Sequence, residues 1–188
     1  MGAKVVTPED GNALTTVGLD VGDKTIQACF LDHHGEIESM ATERYPETDL
    51  LRQVAGVGPI TAATFVLTVE DPTRFARCPS IGSYLGLRPR RDESGTINRQ
   101  LRITKAGDGA LRSLLVSCSQ YILGHFGPDT DLRRWGLHLA ERGGKNGKKR
   151  AVVAVARKLS VLLLRLWATG EIYEPLRNAR LRGELSMT

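Results

Sequence analysis

The sequence predicts a mainly α-helical protein, in which a compact helical domain containing a helix-hairpin-helix is preceded by a short β-hairpin. Alternating apolar residues, Val17, Leu19 and Val21, are confined to the start of the chain. From Thr48 onward apolar residues recur at helical spacing, as in Leu111, Leu114, Leu115 and Cys118. Between these regions Gly56-Val57-Gly58-Pro59 interrupts the helical pattern with a turn, then supplies a residue suited to a helix start.

In order along the chain, Thr16 to Glu38 reads as the hairpin, with a turn at Gly22-Asp23, a second strand at Thr25 to Leu31 and another turn at His33-His34-Gly35. A polar connector with Pro46 follows, from Ser39 to Asp49. Thr48 suits an N-cap for a helix reaching Val54. Pro59 starts the next, which runs through Phe65 and Val69 toward Asp71-Pro72. Ser80 caps a short helix to Leu85. Gly86 to Asp108, rich in Gly, Arg and polar residues, forms a loop or small ribbon. Three helices complete the pattern at Gly109 to Leu123, Asp129 to Arg142 and Arg150 to Thr169, and Gly170 stops the last. The chain divides at 1–47, 48–176 and a tail, 177–188.

Composition narrows the function. The most apolar stretch, Val152 to Trp167, is interrupted by Arg157, Lys158 and Arg165, which excludes a membrane span, and Met1 to Leu14 lacks the layout of a secretory signal. The expectation is a cytoplasmic protein with no membrane partner. Cys29, Cys78 and Cys118 show no C-x-x-C spacing and read as small buried hydrophobes. The net charge of +5 conceals an asymmetry, because residues 1–71 carry 4 Lys/Arg against 12 Asp/Glu and residues 72–188 carry 22 against 9. A basic block of this kind attracts phosphate polyanions through counterion release.

Four groups of residues could carry chemistry. The glycines of the turn, Gly56 and Gly58, can expose backbone N–H groups beside a helix start and grip a DNA phosphate, or form a plain helix connection. Ser94 lies among Arg88, Arg90, Arg91, Arg99, Arg102 and Lys105; a serine attacking a phosphodiester needs such guanidinium groups to stabilise the transferred charge. Asp92-Glu93-Ser94-Gly95 is equally a good β-turn sequence, in which Ser94 has no catalytic role. Lys145, Lys148, Lys149 and Arg150 sit in a flexible basic loop, Glu141 to Arg150, that tracks a phosphate backbone or solubilises the surface. Asp20, near the end of the first strand, occupies the place where RNase H-type nucleases hold Mg²⁺, or lies in a surface turn. Trp135, Trp167 and Tyr173 are spaced for core packing.

The order of these elements resembles the DEDD-type transposases of insertion-sequence family 110, themselves similar to RNA-guided serine recombinases. The resemblance runs from Leu51 to Pro175 through Val54-Ala-Gly-Val-Gly-Pro, Tyr84-Leu-Gly-Leu-Arg-Pro, Glu93-Ser-Gly, Arg102-Ile-Thr-Lys-Ala-Gly-Asp and Leu111-Arg-Ser-Leu-Leu. It implies that Ser94 is the nucleophile joined to DNA. Val17-Gly-Leu-Asp-Val-Gly-Asp-Lys resembles the first strand of the family's RNase H-like α/β domain, so the hairpin reads as a remnant of that domain and Asp20 as its first Mg²⁺-binding acid. The family places a helical spacer and an Asp-x-x-Asp pair between these regions, where this chain has only Ser39 to Leu50. The pattern is that of an internally deleted copy, with DNA as partner, a guide RNA where the family uses one, and association with itself or with full-length transposase.

Overall fold

The computed structural model of the protein describes residues 16–22, 25–31, 45–75, 78–94 and 97–183. The turns at Gly22-Asp23 and His33-His34 lie outside them in whole or in part. Two antiparallel hairpins and a helical body make up the described chain. Strands β1 (Thr16–Gly22) and β2 (Thr25–Leu31) pair with each other, Thr16 opposite Leu31 and Gly22 opposite Thr25. This is the predicted hairpin.

Helix α1 spans Glu47–Arg52, ending two residues earlier than predicted, and its N-cap is Pro46. Thr48 therefore does not cap it. Buried inside the first turn, Thr48 directs its hydroxyl to the Tyr45 carbonyl at 2.7 Å, while the fixed φ of Pro46 preorganises the helix entry. Helix α2 (Pro59–Val69) begins on Pro59 as expected, and Phe65, Val66 and Val69 face the core. Helix α3 is Ile81–Tyr84.

Helix α4 occupies Gly109–Leu123 as predicted, with the Asp108 carboxylate capping it by accepting from the Leu111 N–H at 2.6 Å. At its other end Arg133 donates to the carbonyls of Ile122 and Gly124, which the helix leaves without internal partners. Helix α5 is Asp131–Arg142, capped by Thr130 rather than starting at Asp129. Helix α6, Gly147–Thr169, is the centre of the body: Val155, Leu159 and Leu163 are fully buried, and it packs against α1, α3, α4 and α5. Gly170 ends it in the left-handed conformation, φ +67. Trp167, Trp135 and Tyr173 are half-buried and pack against the core as expected; Trp167 meets Phe65 edge-on at 6.5 Å, and Trp135 also lies under the Lys158 ammonium at 4.0 Å. Cys118 is buried against the Thr61 hydroxyl at 3.6 Å, and burial pushes its thiol pKa up.

Helix α7 (Arg177–Leu181) closes the chain and is docked by Asp131, whose two carboxylate oxygens accept from the N–H groups of Asn178 and Ala179 at 2.6 and 3.2 Å. Among the described residues no helix is long and apolar enough to cross a membrane.

Candidate nucleic-acid interface

The predicted loop between Gly86 and Asp108 is a two-stranded ribbon. Strand β3 (Pro89–Ser94) pairs antiparallel with β4 (Ile97–Ile103), Pro89 opposite Ile103 and Ser94 opposite Ile97, with a register shift between Pro89 and Arg91. The sequence Asp92-Glu93-Ser94-Gly95 is therefore not a turn as a unit: Asp92, Glu93 and Ser94 are paired strand residues, and Gly95 lies outside the described residues. Ser94 thus occupies the last paired position of β3, at the tip of the ribbon.

The base of the ribbon is built by close backbone approach. Gly86, φ +66, and Gly107, φ +74, lie where the entering and leaving chains cross; a Cβ on Gly86 would overlap the Ala106 backbone and one on Gly107 the Tyr84 carbonyl oxygen. The crossing is sealed by the Lys105 N–H on the Gly86 carbonyl at 3.1 Å and the Thr104 N–H on the Arg88 carbonyl at 3.0 Å. Lys105 itself holds a left-handed φ of 58, a conformation that costs a non-glycine residue about 1 kcal/mol or more. Arg112, from the first turns of α4, donates through Nη1 to the carbonyls of Leu85 at 3.0 Å and Ala106 at 2.9 Å, one on each chain.

Around this frame the structure brings together several of the predicted cations. Arg88, Arg90, Arg102 and Lys105 are exposed along the base and flank of the ribbon. Arg90 reaches the Thr104 carbonyl at 3.5 Å, a weak contact that leaves most of its donors turned to solvent. Arg91 and Arg99 hold strand positions opposite Gln100 and Asp92.

The other predicted basic group is placed differently. Glu141 to Arg150 is not a flexible loop: α5 continues to Arg142, a short 3₁₀ turn covers Gly144–Asn146, and Lys148, Lys149 and Arg150 lie in the first turn of α6. Gly147, which resembled a linker residue, serves packing: it is buried and a Cβ on it would overlap the Ala140 carbonyl. Lys145, Lys148, Lys149 and Arg150 are all exposed, and no acidic residue occupies that first turn. Cations at a helix N-terminus oppose its dipole, by about 0.3–1 kcal/mol each at an exposed position.

The turn between α1 and α2 has the expected glycine geometry on one side only. Gly56, φ +89, packs inward, where a Cβ would stand 2.9 Å from Cδ1 of Tyr121 on α4; Gly58 opens outward, with nothing within 4 Å of the corresponding position. Since the Gly56 turn meets α4 at Cys118–Ile122 and the ribbon base meets it at Asp108–Arg112, the two contact points lie about 15 Å apart along one rigid helix.

Asp20 pairs opposite Gln27 in the middle of the first hairpin. The positions sharing its face are Gly18 and Gly22 on its own strand and Thr25 and Cys29 on the partner. This face offers a single carboxylate, whereas a two-metal phosphodiester site needs several. The described hairpin residues do not fit a Mg²⁺ pair, and no cluster of three or more metal-ligating side chains occurs among the described residues.

A crossed, clamped ribbon bearing exposed guanidinium groups, with a second cluster of lysines on the same helical body, is an arrangement suited to binding polyanions. The comparisons give the class. Residues 48–133 match the family described as Transposase IS116/IS110/IS902, a match that spans α1 through the ribbon to α4. The chain is 32% identical over 143 residues to the transposase for insertion sequence element IS1111A of Coxiella burnetii, covering 76% of this chain and 38% of that protein. It is 32% identical over 126 residues to a probable family 20 transposase of Pseudomonas aeruginosa, covering 66% of this chain and 36% of that protein. It is 28% identical over 131 residues to a pilin gene-inverting protein of Moraxella bovis, covering 69% of this chain and 39% of that protein. Residues 48–133, the part of the helical body that carries the ribbon, are thus similar to insertion-sequence transposases of the IS116/IS110/IS902 type. The chain spans less than two fifths of the length of these relatives.

Proposed function

We propose that this chain is the DNA-engaging part of an insertion-sequence transposase, with Ser94 as the nucleophile that attacks a DNA phosphodiester. The observation that carries the reading is the position of Ser94 at the tip of a basic ribbon inside the segment that matches the transposase family. Arg88, Arg90, Arg102 and Lys105 are exposed along the base and flank of the ribbon and Arg91 and Arg99 hold strand positions on it, so a phosphate backbone can follow these cations to that tip. The Gly56 to Gly58 turn and the lysines that open α6 supply further phosphate contacts without reading bases. In the attack, the Ser94 hydroxyl gives its proton to solvent as its oxygen forms a bond to phosphorus, the 3′ or 5′ oxygen of the adjacent nucleotide leaves and takes up a proton from solvent, and the guanidinium groups stabilise the charge on the non-bridging oxygens.

A second reading follows from the single carboxylate among the described hairpin residues and the short span relative to the relatives. In it the chain is an internally deleted copy that binds DNA, with a guide RNA where the family uses one, and modulates intact transposase subunits without cutting. Titration of the purified chain against labelled element-end duplex at several salt concentrations tests the part shared by both readings. Replacing Arg88, Arg90 and Arg102 together by Gln is expected to reduce the slope of log affinity against log salt by about 2–3, one phosphate contact each. An unchanged slope removes the ribbon from the interface.

A further inference from the structure

We infer that Arg112 is a positioning residue, whose guanidinium fixes the direction in which the β3–β4 ribbon presents its tip. The inference rests on the reading that the ribbon engages DNA. A two-stranded ribbon has little stability of its own in water, so its orientation is set where it is tied to the body. Among the described residues the ties at the base include the Thr104 and Lys105 N–H bonds, the Gly86 and Gly107 crossing, the core packing of Leu87 and Ile103, and Arg112. The Gly107 crossing meets the end of α3 at Tyr84, and Arg112 is the side-chain tie from α4: its single Nη1 nitrogen holds the chain entering the ribbon, at Leu85, and the chain leaving it, at Ala106.

The position of Ser94 makes this hold consequential. Six residues of strand separate Arg88 from Ser94, about 20 Å of extended backbone. A swing of about 10° at the base then moves the tip by about 3 Å, and misplacement of about 1 Å already costs reacting groups roughly two orders of magnitude in rate. Leu111 and Leu115 are fully buried beside Arg112 on α4, so the guanidinium is carried on a part of the body that cannot shift with the ribbon. Arg112 is half-buried and spends both Nη1 hydrogens on carbonyls, which suits it to hold the backbone in place while the ribbon's own exposed arginines meet phosphate.

The experiment compares amide hydrogen exchange in the full chain and in Arg112→Met, which keeps the length and loses the donors. Exchange at the Thr104 and Lys105 amides is expected to quicken about ten-fold, with the Leu115 and Leu159 amides in the core unchanged. No change at Thr104 and Lys105, or equal acceleration at all four, overturns the inference. Should Arg112→Met not fold, the same selective acceleration is expected of Arg112→Lys. In the DNA titration Arg112→Met is expected to bind about ten-fold more weakly than Arg180→Met, an equal loss of charge away from the ribbon; equal affinities overturn the positioning role. Failure of the unaltered chain to bind DNA overturns the proposed function instead and leaves the exchange result to decide the clamp.

Discussion

Gly107 passes so close to Tyr84 that a Cβ on it would overlap the Tyr84 carbonyl oxygen, and it does so with φ +74. The contact joins the end of α3 to the exit of the ribbon. Gly107→Ala combines a left-handed backbone with a main-chain clash that no rotamer relieves, so a loss of about 2–4 kcal/mol is expected in denaturant unfolding. A loss below about 0.5 kcal/mol, the range of an ordinary surface change, shows that the crossing relaxes freely.

Asp131 ties the end of the chain to α5 through the Asn178 and Ala179 amides, and its own N–H donates to the Pro175 carbonyl at 2.8 Å. Asp131→Ala removes two charge-assisted acceptors from the start of α7. Limited trypsin digestion is expected to cleave at Arg177, Arg180 and Arg182 several times faster, with the α4–α6 core intact. Equal cleavage rates place the strength of the docking elsewhere.

Acid stability follows from three carboxylates. The Arg134 hydrogen bonds lower the pKa of Asp129, the Arg165 hydrogen bond that of Glu171, and the Thr73 side-chain hydrogen bond that of Asp71. A carboxyl depressed in the folded state stabilises the fold above its unfolded pKa and loses that contribution as pH falls through the folded one. All three are exposed to solvent, so each effect is small. Melting temperature is expected to be level from neutrality to about pH 5 and to decline below about pH 4. A rise on acidification contradicts these pairings.

Lys148 and Lys149 stand in the first turn of α6, against the helix dipole, with no acidic residue there to offset them. Changing both to Glu is expected to raise stability by about 1 kcal/mol while weakening DNA binding about ten-fold or more. Higher stability with unaltered binding removes this helix start from the interface.

Much of this architecture is legible in the sequence because it is local. The bounds of α4 follow from the Asp108 cap and the leucine spacing, and the end of α6 from Gly170. Errors occur where one residue type serves two purposes. Thr48 has the chemistry of a cap, yet Pro46 takes that place; Gly143, Gly144 and Gly147 look like linker residues, yet Gly147 is a packing contact against Ala140. The charges of the candidate interface are visible in composition. Its geometry is not, because it depends on pairs such as Arg112 and Leu85, 27 residues apart. Arg112 sits one position after a buried leucine, Leu111, in an amphipathic helix, and its one sequence signal is a place in the Leu111-Arg-Ser-Leu-Leu motif.

The central claim concerns Ser94. The most direct measurement is a denaturing gel of the purified chain incubated with labelled element-end DNA, the RNA of the element's flanking region and Mg²⁺ in the buffer, beside Ser94→Ala. The account predicts a protein–DNA adduct that survives denaturation and is absent from Ser94→Ala. An adduct formed equally by Ser94→Ala, or salt-sensitive binding with no adduct from the unaltered chain, contradicts it.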